Sequence, residues 1–107
     1  MKIRTGIMLV AILAATTVTS ALAQGSGADT FKAKCAMCHG ADGLASTPTG
    51  KMMKVPALNA PELVKATNAD LIAATTNGKG KMPAYTGKLT DAQIKDVVAY
   101  IRTLQKK

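Results

Sequence analysis

Toward the C-terminus the apolar residues Ile94, Val97, Val98, Ile101 and Leu104 recur at spacings of three and four, the period of a helix that buries one face. Thr90, three residues before Gln93, gives that helix a capping-box start. The same signature, Thr67 before Asp70, opens a shorter helix over 69–76 that Gly78 stops. Pro61 suits the first turn of a further short helix over 61–66. Residues 29–38 read as another, ended by Gly40. No alternating β-branched or aromatic run of four or more residues occurs, so the pattern predicts no strand. Between them, residues 40–59 hold Gly, Pro, Ser, Thr and Asp without a sustained period. A connection of that length is uncommon in a compact domain unless it wraps something. The pattern therefore predicts an all-α chain of three to four helices, without internal repeats.

The N-terminus follows a different rule. Lys2 and Arg4 precede an apolar run, and Ala21-Leu-Ala23 forms a small-x-small site before Gln24. This is the three-part pattern of a secretory signal peptide, so residues 1–23 read as a cleaved leader and residues 24–107 as the exported domain. An uncleaved membrane anchor is the alternative, since the apolar run approaches spanning length. A domain this small buries a modest share of its surface. Its aromatic residues are only Phe31, Tyr85 and Tyr100, with no tryptophan. Something other than aromatic bulk has to fill the core.

Charge narrows the partners. Fourteen Lys and Arg stand against six Asp and Glu; loss of Lys2 and Arg4 with the leader leaves twelve against six, a net +6. A basic balance fits nucleic acid, an anionic membrane or an acidic protein. Export argues against nucleic acid, and the lysines form no run of five and do not alternate with aromatics. An acidic protein partner fits best.

Cys35 and Cys38, with His39 directly after them, are the only cysteines and the only histidine. In an oxidising compartment the pair suggests a disulfide or a thioredoxin-like redox site, but the latter belongs to a βαβ unit and no strand is predicted. Zinc would find only three ligands. The run Cys35-Ala-Met-Cys38-His39 matches C-x-x-C-H, the attachment signature of c-type haem. Helix positions i, i+3 and i+4 share a face, so both thiols can form thioethers with the haem vinyl groups while His39 reaches the iron as proximal ligand. The haem would supply the missing bulk.

Met82 stands in Asn77-Gly-Lys-Gly-Lys-Met82-Pro83-Ala-Tyr85. The following proline biases it toward an extended conformation, which leaves its thioether free to point inward. A methionine alone is more often core packing than a ligand; beside a haem held through His39, Met82 becomes the candidate sixth ligand. Met52 and Met53, in a methionine-rich, basic stretch from Lys51 to Lys54, are the alternatives.

Together these residues resemble the class I c-type cytochromes, closest to the short monohaem bacterial and algal electron carriers. The matching residues are Gly27 and Phe31, Cys35-Ala-Met-Cys38-His39-Gly40, Asn77-Gly-Lys-Gly-Lys-Met82-Pro83 and Val97-Val-Ala-Tyr100-Ile, and the resemblance covers residues 24–107. It implies a small all-α cytochrome c fold, three to four helices wrapped around one covalently bound haem c and its iron. The first and last helices would cross, with Gly27 and Phe31 near Tyr100. A proline carbonyl would accept a hydrogen bond from the second nitrogen of His39; Pro48 is the first choice and Pro56 the alternative. The exposed haem edge would lie beside Cys35 and the methionine loop, where Lys34, Lys79 and Lys81 either steer an acidic partner or are ordinary solvated lysines.

The function so implied is that of a soluble, monomeric one-electron carrier in the periplasm or another exported compartment. It would shuttle electrons between larger redox complexes, catalyse nothing itself, and stay out of the membrane once the leader is removed. The alternatives are an electron-entry subunit fixed to an oxidase or dehydrogenase, and a haem enzyme or gas sensor, which needs the open iron position that His/Met ligation closes. Because the core depends on a cofactor, the polypeptide without haem is expected to be largely unfolded despite its capped helices. Far-UV circular dichroism of a haem-free preparation checks this; native-like helicity would refute it.

Overall fold

The structure, a computed structural model, describes Gly6 and residues 26–107; the leader reading of residues 1–23 lies outside the described residues. Among the described residues there are six helices and no strand: α1 (Gly27–Lys34), α2 (Ala36–His39), α3 (Pro48–Met52), α4 (Pro61–Lys65), α5 (Asn68–Asn77) and α6 (Asp91–Gln105). None is long and apolar enough to cross a membrane.

The capping signals act where the sequence placed them. Thr67 and Thr90 each accept from the backbone N–H three residues on, while Asp70 and Gln93 reach back to the cap N–H. Gly78 ends α5 with φ 78°. Two details differ from the sequence expectation. The segment 29–38 is two helices, because Cys35 takes φ −117° and turns the chain between α1 and α2. In addition, α3 lies within the stretch read as loop. Thr47 caps it by accepting from the Gly50 N–H at 2.9 Å, and Pro48 occupies its first turn. A threonine cap followed by a first-turn proline is a helix start; glycine two residues further on hid it from a propensity reading.

The amphipathic stripe of α6 packs as its period requires. Ile94, Val97, Val98, Ile101 and Leu104 are all buried. Phe31, Cys35, Leu58, Val97, Ile101 and Leu104 form the central cluster, against which Leu63 and Tyr100 pack. Phe31 is fully buried, its ring tilted 58° to that of Tyr100 at 5.4 Å between centroids. This is the crossing of first and last helices that the resemblance implied. Its tightest point is Gly27: a Cβ there would run into the Asp96 carbonyl oxygen and lie 3.2 Å from Tyr100 Cβ. Neither obstacle is the far end of a flexible side chain, so the helices themselves would have to part.

Gly27→Ala is therefore expected to destabilise the folded protein by about 1–3 kcal/mol, the usual cost of overpacking, with Gly27→Val costing more. Denaturant unfolding of the haem-loaded protein measures it; unchanged midpoints would mean that the crossing tolerates a side chain.

Candidate functional site

One cavity of about 550 Å³ gathers the candidate residues, within the roughly 300–1,000 Å³ typical of small-molecule sites. Cys35, Cys38, His39 and Met82 all line it, and Leu58, Leu63, Leu71 and Ile101 supply apolar wall. A second, open groove of about 520 Å³ between α4 and α5 carries Glu62 and Asp70 but no thiol or imidazole.

The C-x-x-C-H turn is built on the end of α1. The Cys35 N–H donates to the Phe31 carbonyl at 2.8 Å, and the Cys35 carbonyl accepts from the N–H groups of Cys38 and His39 at 3.2 and 3.0 Å. One helical turn thus carries all three side chains. α3 braces it from outside: the Thr47 hydroxyl donates to the carbonyls of Met37 and Cys38 at 2.7 and 3.3 Å, and Gly50 sits so close that a Cβ would meet the Cys38 carbonyl oxygen.

Electrostatics argue against a redox dithiol. Cys35 and Cys38 are not joined in a disulfide. Burial, then the neighbouring Cys38, pushes the Cys35 thiol up to about 11, whereas reactive thiols have depressed values. Burial also lowers the His39 pKa, which favours the neutral imidazole that can donate a lone pair. Its Nδ1 is buried and has no hydrogen-bond partner among the described residues.

The methionine loop is pinned by its own backbone. Lys79 and Met82 exchange N–H to carbonyl bonds at 3.1 and 3.0 Å across a tight turn. The Tyr85 N–H donates to the Thr75 carbonyl at 3.0 Å, and the Tyr85 hydroxyl donates to the Lys34 carbonyl at 2.9 Å. Tyr85 therefore ties the loop to the end of α1 across the cavity rim. Burial first, then the two cysteines, raises its own pKa, so it stays a hydrogen-bond donor at neutral pH.

Residues 23–101 match the family described as cytochrome c oxidase, cbb3-type, subunit III. Cytochrome c6 of Leptolyngbya boryana is 42% identical over 76 residues, covering 71% of this chain and 86% of the relative. Cytochrome c6 of Picosynechococcus sp. PCC 7002 is 40% identical over 81 residues, covering 71% and 68%. Among solved structures, cytochrome c6 of the diatom Phaeodactylum tricornutum superposes with a TM-score of 0.60 at 30% identity, covering 77% of this chain and 93% of that one. The KustC0563 c-type cytochrome shares the fold, with a TM-score of 0.69 at 24% identity over 75% and 98% of the two chains.

The chain is a class I c-type cytochrome.

It is accordingly an electron-transfer protein with one covalently bound haem c. The residues present fit that group: Cys35, Cys38 and His39 line a largely apolar cavity, no disulfide ties up the two sulfurs, and the His39 Nδ1 is buried without a partner, open to an outer acceptor that would orient the ring. The sixth-ligand alternatives separate. Met82 and Met53 line the cavity, whereas Met52 does not and is 76% exposed. The prolines separate too. Pro48 begins α3, is exposed and does not line the cavity, Pro56 does line it, and neither accepts a hydrogen bond from His39 Nδ1. Pro48 is the first residue of α3, and the chain lines the cavity from Met53 to Pro56. Lys34, Lys79 and Lys81 all reach the cavity, and Lys54 joins them. Lys54 was missed because its placement depends on a left-handed backbone, φ 54°, which no sequence signal announces for lysine.

Proposed function

We propose that this cytochrome is a diffusible one-electron carrier of an exported compartment, with residues 1–23 as its cleaved leader. Carrying the reading is the convergence of Cys35, Cys38, His39 and Met82 on a single cavity. Cys35 and Cys38 would hold the haem through thioether bonds. His39 and Met82 would be the axial ligands, His39 kept neutral by burial. When bound, the haem supplies a one-electron iron couple that methionine ligation raises in potential.

The polypeptide's part is to hold and to shield. Leu58, Leu63, Leu71 and Ile101 exclude water from the cavity. Met82, fixed by its turn with Lys79, would hold the iron from the methionine loop and leave no place there for a substrate, which is why we read a carrier and not an enzyme. Pro56 takes over from Pro48 as the proposed acceptor for the Nδ1 proton of His39, since an outer partner fixes ring orientation and strengthens the ligand. At the mouth, Lys34, Lys54, Lys79 and Lys81 form a basic rim. Such a rim would steer an acidic redox protein, chiefly through the association rate.

A second reading, a subunit fixed to a terminal oxidase, is favoured by the family description that residues 23–101 match. Stable co-purification with such a complex would select it over the diffusible carrier.

Met82→Ala is expected to lower the midpoint potential sharply and to let cyanide or imidazole bind the oxidised protein, with Met52→Ala leaving the visible spectrum nearly unaltered. Because Met53 lines the cavity, Met53→Ala is the decisive control: ligand loss there and not at Met82 would reassign the sixth ligand. The basic rim predicts second-order electron transfer with an acidic redox protein that slows as ionic strength rises. A flat salt response would remove the steering role.

A further inference from the structure

Arg102, on α6, is half-buried and spends its guanidinium on neutral acceptors. Nε donates to the Asn68 side-chain oxygen at 2.8 Å. Nη1 donates to the carbonyls of Leu63 and Val64 at 3.2 and 3.4 Å and to the Gln105 side-chain oxygen at 3.0 Å. Nη2 donates to the Ala66 carbonyl. Gln105, so oriented, donates from Nε2 to the Leu58 carbonyl at 2.9 Å. Two adjoining side chains of α6 thus grip the backbone of residues 58–66 at both ends.

That segment is the wall of the haem cavity. Its carbonyls face Arg102 and Gln105, and its Leu58 and Leu63 side chains line the cavity, as does Ile101 next to Arg102. The helix within it, α4, is five residues long, has no side-chain cap and contains no buried residue. A helix that short has no stability of its own, and α4 lacks the buried apolar face that usually holds one. A cation at its C-terminus is favourable both for the unpaired carbonyls and for the helix dipole. A guanidinium, with five donors in a rigid fork, can hold several carbonyls at once where an ammonium cannot.

We propose that Arg102 and Gln105 are positioning residues that keep the 58–66 wall closed over the haem cavity and thereby help set the reduction potential. The link is physical: solvent exposure of the iron site is one of the determinants of its potential, and a wall whose one buried side chain is Leu58, at its start, opens beyond that point at low local cost unless something else holds it. The proposal rests on the cavity being the haem site, and on no particular redox partner.

The test uses the haem-loaded protein and reads two quantities that a merely structural residue would not move together: amide hydrogen exchange across residues 58–66 and the midpoint potential. Arg102→Gln is expected to speed exchange in that segment by about tenfold or more, as local opening becomes cheaper, and to lower the potential while leaving the axial ligands in place. Arg102→Lys should recover neither fully, because one ammonium cannot span the acceptors. Gln105→Met, which cuts the Leu58 tether and keeps Arg102, should give the same two changes at smaller amplitude and serves if Arg102→Gln fails to retain haem. The proposal falls if the variants lose global stability with segment exchange and potential unchanged. It falls also if Arg102→Lys restores the potential while exchange stays fast, since charge and not the wall would then act. An error in the cavity reading would show separately, as holoprotein with Arg102 and Gln105 intact whose visible spectrum is unchanged by Met82→Ala and by Met53→Ala.

Discussion

The backbones of α1 and α6 meet at Gly27 and Asp96 with no side chain between them, and the placement of the C-x-x-C-H turn follows from that contact. Eight residues after Gly27 the chain reaches Cys35; with α1 locked against α6 by the Phe31 and Tyr100 rings, the C-x-x-C-H turn has one place to go. It comes to lie against the same end of α6 that presents Ile101 and Leu104. Only a residue without Cβ permits so close a crossing, so one missing side chain at the start of α1 governs where two thiols and an imidazole appear. Phe31 extends the link by stacking toward His39 itself, 6.4 Å between ring centroids.

The remaining segments are braced against this frame by polar bonds more than by apolar burial, as a chain with three aromatic residues requires. α3 presses its Gly50 and Thr47 onto the back of the cysteine turn. Tyr85 spans from the methionine loop to the Lys34 carbonyl. Arg102 and Gln105 hold the wall between α3 and α5. Each of these bonds is worth on the order of 1 kcal/mol net, a small sum beside what burying a large apolar macrocycle contributes. The polar braces therefore orient the walls, and a bound haem would supply most of the cohesion.

What the sequence revealed and what it concealed divide along the same line. Local signals were legible: both capping boxes, the stop at Gly78, the stripe of α6 and the C-x-x-C-H spacing each need only a few neighbouring residues, and each appears where its chemistry put it. The crossing at Gly27 was legible only through resemblance, because a glycine's reason lies in the element it approaches. The cavity face of the loop was not legible. Whether Pro48 or Pro56 faces His39 depends on the helical turn of α3 and on left-handed Ala45 and Lys54, φ 56° and 54°. Neither residue type signals that conformation, which costs an L-residue about 1–2 kcal/mol. Arg102 carries no local signal in the sequence; its contacts exist only because the carbonyls of a segment far away in sequence converge on it.

Burial does two opposite things at this site, and the chemistry needs both. It lowers the His39 pKa and so favours the neutral imidazole, whose nitrogen can offer a lone pair. A few residues away the lysines of the rim remain exposed, where charge is cheap and acts at a distance. A largely apolar interior thus stands beside a charged mouth, an arrangement that would let a partner be attracted without bringing charge into the cavity. The half-buried positive charge of Arg102 fits the same division: it is spent on backbone carbonyls behind the wall, where it stiffens the interior without opening it to solvent.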